Sequence, residues 1–204
     1  MSRRVLLLLA GVAAVAALAW ATAPAANAAP SATAARPKLA AAQTFLRLTD
    51  ERLALMKQVM ESKWLSRTPI QDPAQEERVV QGALVISREL GLADTGVRRV
   101  FAQEILAAKD VQLGWGTRWL FYGFPSDVKP PDLSRLRAQL TALTPKLIDA
   151  LAGLGRLRCQ HGVRTTLLRA SRRLIRTRYV SKPRRSAIIA AVLSVHQVGS
   201  TCRR

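Results

Sequence analysis

The stretch SKWLSRTPIQDPAQEER, residues 62–78, holds a helix stop and a helix start only a few residues apart. Pro69 disfavours helical geometry at Thr68 and ends the first segment. Asp72 and Pro73 then open the next. Asp72 is a good N-cap, and Pro73 at the first helical position loses no hydrogen bond. Gln75 falls at the third position, where it can complete a capping box. This is a corner between two helices, with Lys63 on the apolar side of the first and Asp72, Gln75 and Glu76 opening the second.

Helical periodicity extends in both directions from the corner. Upstream, Phe45, Leu46, Leu48, Leu53, Leu55, Met56, Val59, Met60 and Trp64 recur at helical spacing, predicting a helix over about 43–67. Downstream, Val79, Val80, Ala83, Leu84, Ile86 and Leu90 line one helix face, and Gly91 stops it. A third helix is expected over 95–120. A fourth follows the PPDLS restart and runs from about 133 to 154, and two basic helices fill 160–178 and 182–200. No alternating strand pattern or internal repeat occurs. The fold class is therefore all-α, a single-domain bundle of about six helices.

The chain has 204 residues and a formal charge of +19. Residues 1–28 read as a signal peptide: Arg3 and Arg4, the apolar run VLLLLAGVAAVAALAW, then Ala26-Asn27-Ala28 as a cleavage site. Cleavage would remove the two arginines, taking the charge to +17, and would leave no stable membrane anchor. Residues 29–42, APSATAARPKLAAA, read as a flexible linker. Residues 43–204 form the domain, divided into 43–155 and a basic extension, 156–204. The location is periplasmic or secreted. In such an oxidising compartment Cys159 and Cys202 read as a disulfide.

Chemistry at a nucleophile or a metal has little support. His161 and His196 stand apart, neither cysteine has a metal-ligand pattern, and no phosphate-loop or hydrolase motif occurs. Neither a metal nor another cofactor is expected. The arginine-rich run RASRRLIRTRY (169–179) suits a polyanion or an envelope surface. Stacking aromatics are scarce there, and no nucleic-acid partner is expected. The N-terminal helices carry a different pattern. Arg52 and Lys63 lie eleven residues apart, about three helical turns, and so share a face. Asp72 and Glu76 are one turn apart, as are Ala108 and Gln112, and Arg137 starts the fourth helix. Polar groups from several helices aimed into one bundle interior make a site, and its three cations suit a small polycarboxylate.

Three segments carry a family resemblance: LTDERLALMKQVMESKWLSRTPIQDPAQEER (48–78), RRVFAQEILAAKDVQ (98–112) and PPDLSRLR (130–137). Together they resemble the helical, AroQ-type chorismate mutases, specifically their exported subclass, over residues 43–202. The resemblance implies an isomerase that converts chorismate to prephenate, a step of aromatic amino acid biosynthesis. It also implies the cysteine pair, and a pocket within one protomer, with homodimerisation left open. By resemblance, Arg52 and Arg137 hold the substrate carboxylates. Lys63 and Gln112 are catalytic at the ether oxygen. Glu76 accepts from the substrate hydroxyl, with Asp72 beside it.

Two positions depart from the family pattern. Gln75 stands where arginine is usual, leaving Arg78 to supply that charge, and Ala108 stands where a hydroxyl is usual. The rival reading is a catalytically weak exported relative that binds another carboxylate.

Overall fold

In the computed structural model, residues 32–129, 131–155, 157–200 and 202 are described. The expected signal peptide lies outside them. The elements are α1 (Ala32–Ala54), α2 (Met56–Ser66), α3 (Pro73–Glu89), α4 (Asp94–Tyr122), α5 (Leu133–Ala152), a short 3-10 turn (Leu157–Cys159), α6 (Val163–Leu174) and α7 (Lys182–Val192). The described residues form no named strand, only an isolated bridge between Leu92 and Gln197.

Each of the six expected helical segments is present. The first counts as two because α1 and α2 abut at Leu55, whose backbone stays right-handed helical (φ −67°, ψ −18°). The last is shorter than expected and stops at Val192. Over residues 32–42 the reading as a flexible linker needs correction, while 29–31 lie outside the described residues. Helix α1 begins at Ala32, and Ala42 is buried in the core. Alanine is the best helix former, so an alanine-rich lead-in continues into the amphipathic helix after it.

The core is continuous across the chain. Phe45, Leu46, Leu53, Leu84, Phe101, Leu147, Ile148 and Leu151 from the first five helices join Leu167, Ile175, Ile188 and Ile189 from the C-terminal part. Each such side chain contributes about 1.5–3 kcal/mol on burial. Helix α6 packs on α1, and α7 on α4, so the basic C-terminal segment buttresses the helices that carry the expected site. Gly96 marks a close approach of backbone to backbone. A Cβ there would lie 2.8 Å from the Val195 backbone, so only glycine lets the segment after α7 reach the start of α4.

The corner forms as expected. Arg67 closes α2 in a left-handed conformation (φ 55°), and the Thr68 amide donates to the Lys63 carbonyl at 2.9 Å. Asp72 caps α3 by accepting from the Gln75 amide at 3.1 Å. The capping box differs from expectation. Glu76, not Gln75, reaches back to the Asp72 amide at 3.3 Å, because Gln75 turns outward and accepts two hydrogen bonds from Arg78.

Cys159 and Cys202 form a disulfide with Cα atoms 5.4 Å apart and a sequence separation of 43. Closing a loop of that length restricts the unfolded chain by about 4 kcal/mol. The paired change Cys159→Ser/Cys202→Ser is expected to lower the unfolding free energy by about that amount in urea titration. A loss below about 1 kcal/mol would show that the bridge adds little to the packed core.

Candidate active site

A cavity of about 400 Å³ opens between α2, α3, α4 and α5. Lys63 comes from α2, Asp72 caps α3 and Glu76 lies in its first turn, Ala108 and Gln112 sit one turn apart on α4, and Arg137 rises from the start of α5. Arg52 reaches in from the end of α1. All eight expected site residues, Gln75 included, line this one cavity. Met56, Val59, Val79, Ile86, Ile105, Leu133 and Leu140 supply apolar walls. Neither His161 nor His196 lines it.

Lys63 is buried, and its ammonium donates to the carbonyls of Pro69 and Ile70 at 2.8 and 2.7 Å. An ammonium carries three donors, so one is left over. Burial pushes the Lys63 pKa below the usual lysine range, and the negative charge of Asp72 partly opposes this. Asp72 does two jobs: one oxygen caps α3, and the other accepts from Arg137 at 3.0 Å. That contact ties α3 to α5 across the cavity rim.

Two partnerships went unread in the sequence. The first is Lys109, whose ammonium lies 2.8 Å from Glu76 and which also lines the cavity. Lys109 sits within the segment 98–112 and next to Ala108, so its position is visible in the sequence, while its partner Glu76, thirty-three residues away, is not. The second lies behind Arg52. Glu104 is fully buried, with one oxygen accepting from the Thr49 hydroxyl at 2.8 Å and the other 3.9 Å from Arg52 Nε. Burial pushes the Glu104 carboxyl upward and the Arg52 guanidinium downward, while each charge draws the other back. Glu104 falls one turn from both Phe101 and Ala108, so its inward position follows from helical spacing.

Among the described residues, Arg52 Nε, the second Glu104 oxygen and the Gln112 Oε1 are buried side-chain atoms without a hydrogen-bond partner. Gln112 Nε2 donates to the Ala108 carbonyl at 3.2 Å and contacts Met56 sulfur at 3.7 Å. Ala108 itself offers only a methyl group to the cavity. Arg78 is exposed and held by Gln75, at the rim. Besides Arg78, the site offers four cations from four helices, Arg52, Lys63, Lys109 and Arg137, set among aliphatic side chains. Such a set recognises a small, multiply charged anion with an apolar body.

The profile of the family described as chorismate mutase type II matches residues 43–113. The secreted chorismate mutase of Yersinia pestis is 32% identical over 105 residues, 52% of this chain and 56% of that protein. The alignment thus spans little more than half of that relative's length. The secreted chorismate mutase of Mycobacterium tuberculosis is 25% identical over 147 residues, 72% of this chain and 74% of that one. Among solved structures, the Yersinia pestis secreted chorismate mutase superposes with a TM-score of 0.66 at 25% identity, over 75% of this chain and 97% of that one. A Burkholderia thailandensis chorismate mutase gives 0.68 at 28% identity, over 74% and 98%.

Glu104→Gln leaves the Arg52 charge in the core without its counterion. It is expected to cost about 3 kcal/mol of stability, the scale of a broken buried pair. The double change Glu104→Leu/Arg52→Met is expected to recover most of that. Chemical denaturation of the three proteins checks both statements. A single-variant cost under about 1 kcal/mol would mean that the pair does not hold Arg52.

Proposed function

We propose that this chain, whose residues 43–113 match the profile of the chorismate mutase type II family, rearranges chorismate to prephenate. The observation that carries the reading is the convergence of Arg52, Lys63, Gln112 and Arg137 on one cavity of about 400 Å³. The reaction is unimolecular: one C–O bond breaks while one C–C bond forms. The protein needs only to hold a flexible dianion in a chair-like shape and to stabilise charge growing on the ether oxygen.

Roles follow from position. Arg137 and Arg52 hold the two carboxylates, Arg137 at the rim and Arg52 at the buried end. The remaining Lys63 donor points its charge at the ether oxygen and its neighbouring carboxylate. The lysine is already desolvated and fixed by two carbonyls, so little reorganisation accompanies the reaction. Gln112 gives the second hydrogen bond to the ether oxygen. Its Oε1 has no partner, so turning the amide breaks no bond at that end. Glu76, with one oxygen on the Asp72 amide and the other on Lys109, accepts from the substrate hydroxyl. Lys109 takes over the anion-binding charge that Gln75 lacks.

Residues 1–28 direct export and are removed, leaving the domain in the periplasm or outside the cell. The family resemblance implies a pocket built within one protomer, which predicts turnover per chain independent of self-association.

Loss of chorismate absorbance on adding the purified protein tests the activity directly; no loss would sink the reading. Lys63→Ala is expected to lower kcat/KM at least ~100-fold, comparable to removing an oxyanion donor. Lys109→Gln should raise KM about 10-fold with kcat little changed, the signature of lost ground-state binding. Glutamine donates without being protonated, so kcat/KM should hold nearly level from roughly pH 4 to 8. On the alkaline side it should fall sooner than for an ordinary lysine, because the charged form of Lys63 is the active one and burial lowers its pKa. A steep decline above about pH 5 would instead point to an acid as the donor.

A further inference from the structure

The chain has four tryptophans, two tyrosines and four phenylalanines. Seven of these ten collect at one end of the bundle, around the last turns of α4. Trp119 is the hub. Its ring lies 5.6 Å from Trp64, 4.9 Å from Phe124 and 6.0 Å from Trp115, and Trp115 meets Tyr179 at 5.5 Å. Beyond this packed base, Leu120, Phe121 and Tyr122 are 74%, 80% and 78% exposed. A fold that buries Phe45 and Phe101 completely leaves three large apolar residues in a row facing solvent.

Cations surround the base. The Arg118 guanidinium lies over Tyr122 at 5.1 Å. Arg178 faces both Trp115 and Tyr179, at 5.9 and 5.3 Å, and Lys57 lies 5.3 Å from Trp115. Lys57 also pairs with Glu61, and the loop after α4 carries two acids, Asp127 and Asp132, and one base, Lys129.

We propose that this aromatic end docks on the surface of an anionic lipid bilayer. Aromatic and leucine side chains insert at the depth of the headgroups, and arginines beside them meet lipid phosphates. No helix among the described residues is long and apolar enough to cross a membrane, so the contact is interfacial. Charge decides against a second copy as the occupant. Patch-to-patch pairing sets Arg118 and Arg178 of each copy near their counterparts and joins two strongly basic chains, whereas an anionic bilayer attracts both. The cavity residues take no part.

Vesicle flotation tests this with protein recovered from the exported fraction and its N-terminus verified. Wild type is expected to float with vesicles of equal phosphatidylglycerol and phosphatidylcholine, less so at high salt, and to stay behind with phosphatidylcholine alone. The triple variant Leu120→Ser/Phe121→Ser/Tyr122→Ser is expected to keep its circular dichroism and melting temperature and to lose binding at least ~10-fold. Three results would each overturn the proposal. One is failure of the wild type to float. Another is equal binding by the variant, which would assign the effect to the arginine-rich helices. The last is a wild-type dimer by light scattering that the variant dissolves into monomers.

Discussion

The ammonium of Lys63 is buried in an aliphatic bundle, and its cost is what the corner at 67–72 is built to offset. An isolated buried ammonium is expensive unless it is paired and hydrogen-bonded. Here the carbonyls of Pro69 and Ile70 supply the bonds, and they can do so only because the chain turns sharply. Arg67 in a left-handed conformation and proline at 69 make that turn. The same turn delivers Asp72 to the start of α3, where it caps the helix and fixes Arg137. Glu76, one turn later, bonds back to the Asp72 amide and to Lys109. One charge placed in the core thus sets the order of contacts around half of the cavity.

The remaining cations obey the same logic with different partners. Arg52 is the more deeply buried, and Glu104, itself secured by Thr49, stands behind it. Five cations and two carboxylates line the cavity, with Glu104 behind Arg52, so the protein alone holds a positive excess there. Each carboxylate sits behind or beside its cation and holds it at a set place. The cations then need not rearrange when an anion arrives, which is how fixed dipoles and charges act at low reorganisation cost.

Much of this was legible from spacing. The eleven-residue spacing of Arg52 and Lys63, the cap at Asp72-Pro73 and the restart at PPDLS fix which faces meet, and those faces do meet. What spacing could not supply was the choice between adjacent polar residues. Gln75 and Glu76 both suit a capping box, and their orientation depends on Arg78 outside and Lys109 across the cavity, contacts that exist only after packing. Helical spacing turns Glu104 inward but does not say what it meets there. Its partner, fifty-two residues away, cannot be deduced from local pattern. The alanine-rich lead-in to α1 failed for a simpler reason: without a bulky apolar residue, periodicity has nothing to mark, and propensity decides.

Helix α4 joins the two ends of the molecule. Over 29 residues it presents Ile105, Ala108, Lys109 and Gln112 to the cavity, then Trp115 and Trp119 to the aromatic base, then Leu120 to Tyr122 to solvent. At 1.5 Å per residue, Phe121 lies about 14 Å along the axis from Gln112. That separation, with no shared side-chain partner, is the condition under which two sets of substitutions act independently. Gly114 and Gly116 fall between them. A Cβ at Gly114 would lie 2.2 Å from the Tyr179 ring, and one at Gly116 would lie 2.9 Å from the Met60 side chain. The two glycines let an aromatic from the C-terminal segment and a methionine from α2 close on the same turn of α4. The helix is therefore clamped between its two functional stretches, so a load on the exposed tip is taken up by the packed aromatics before it reaches Gln112.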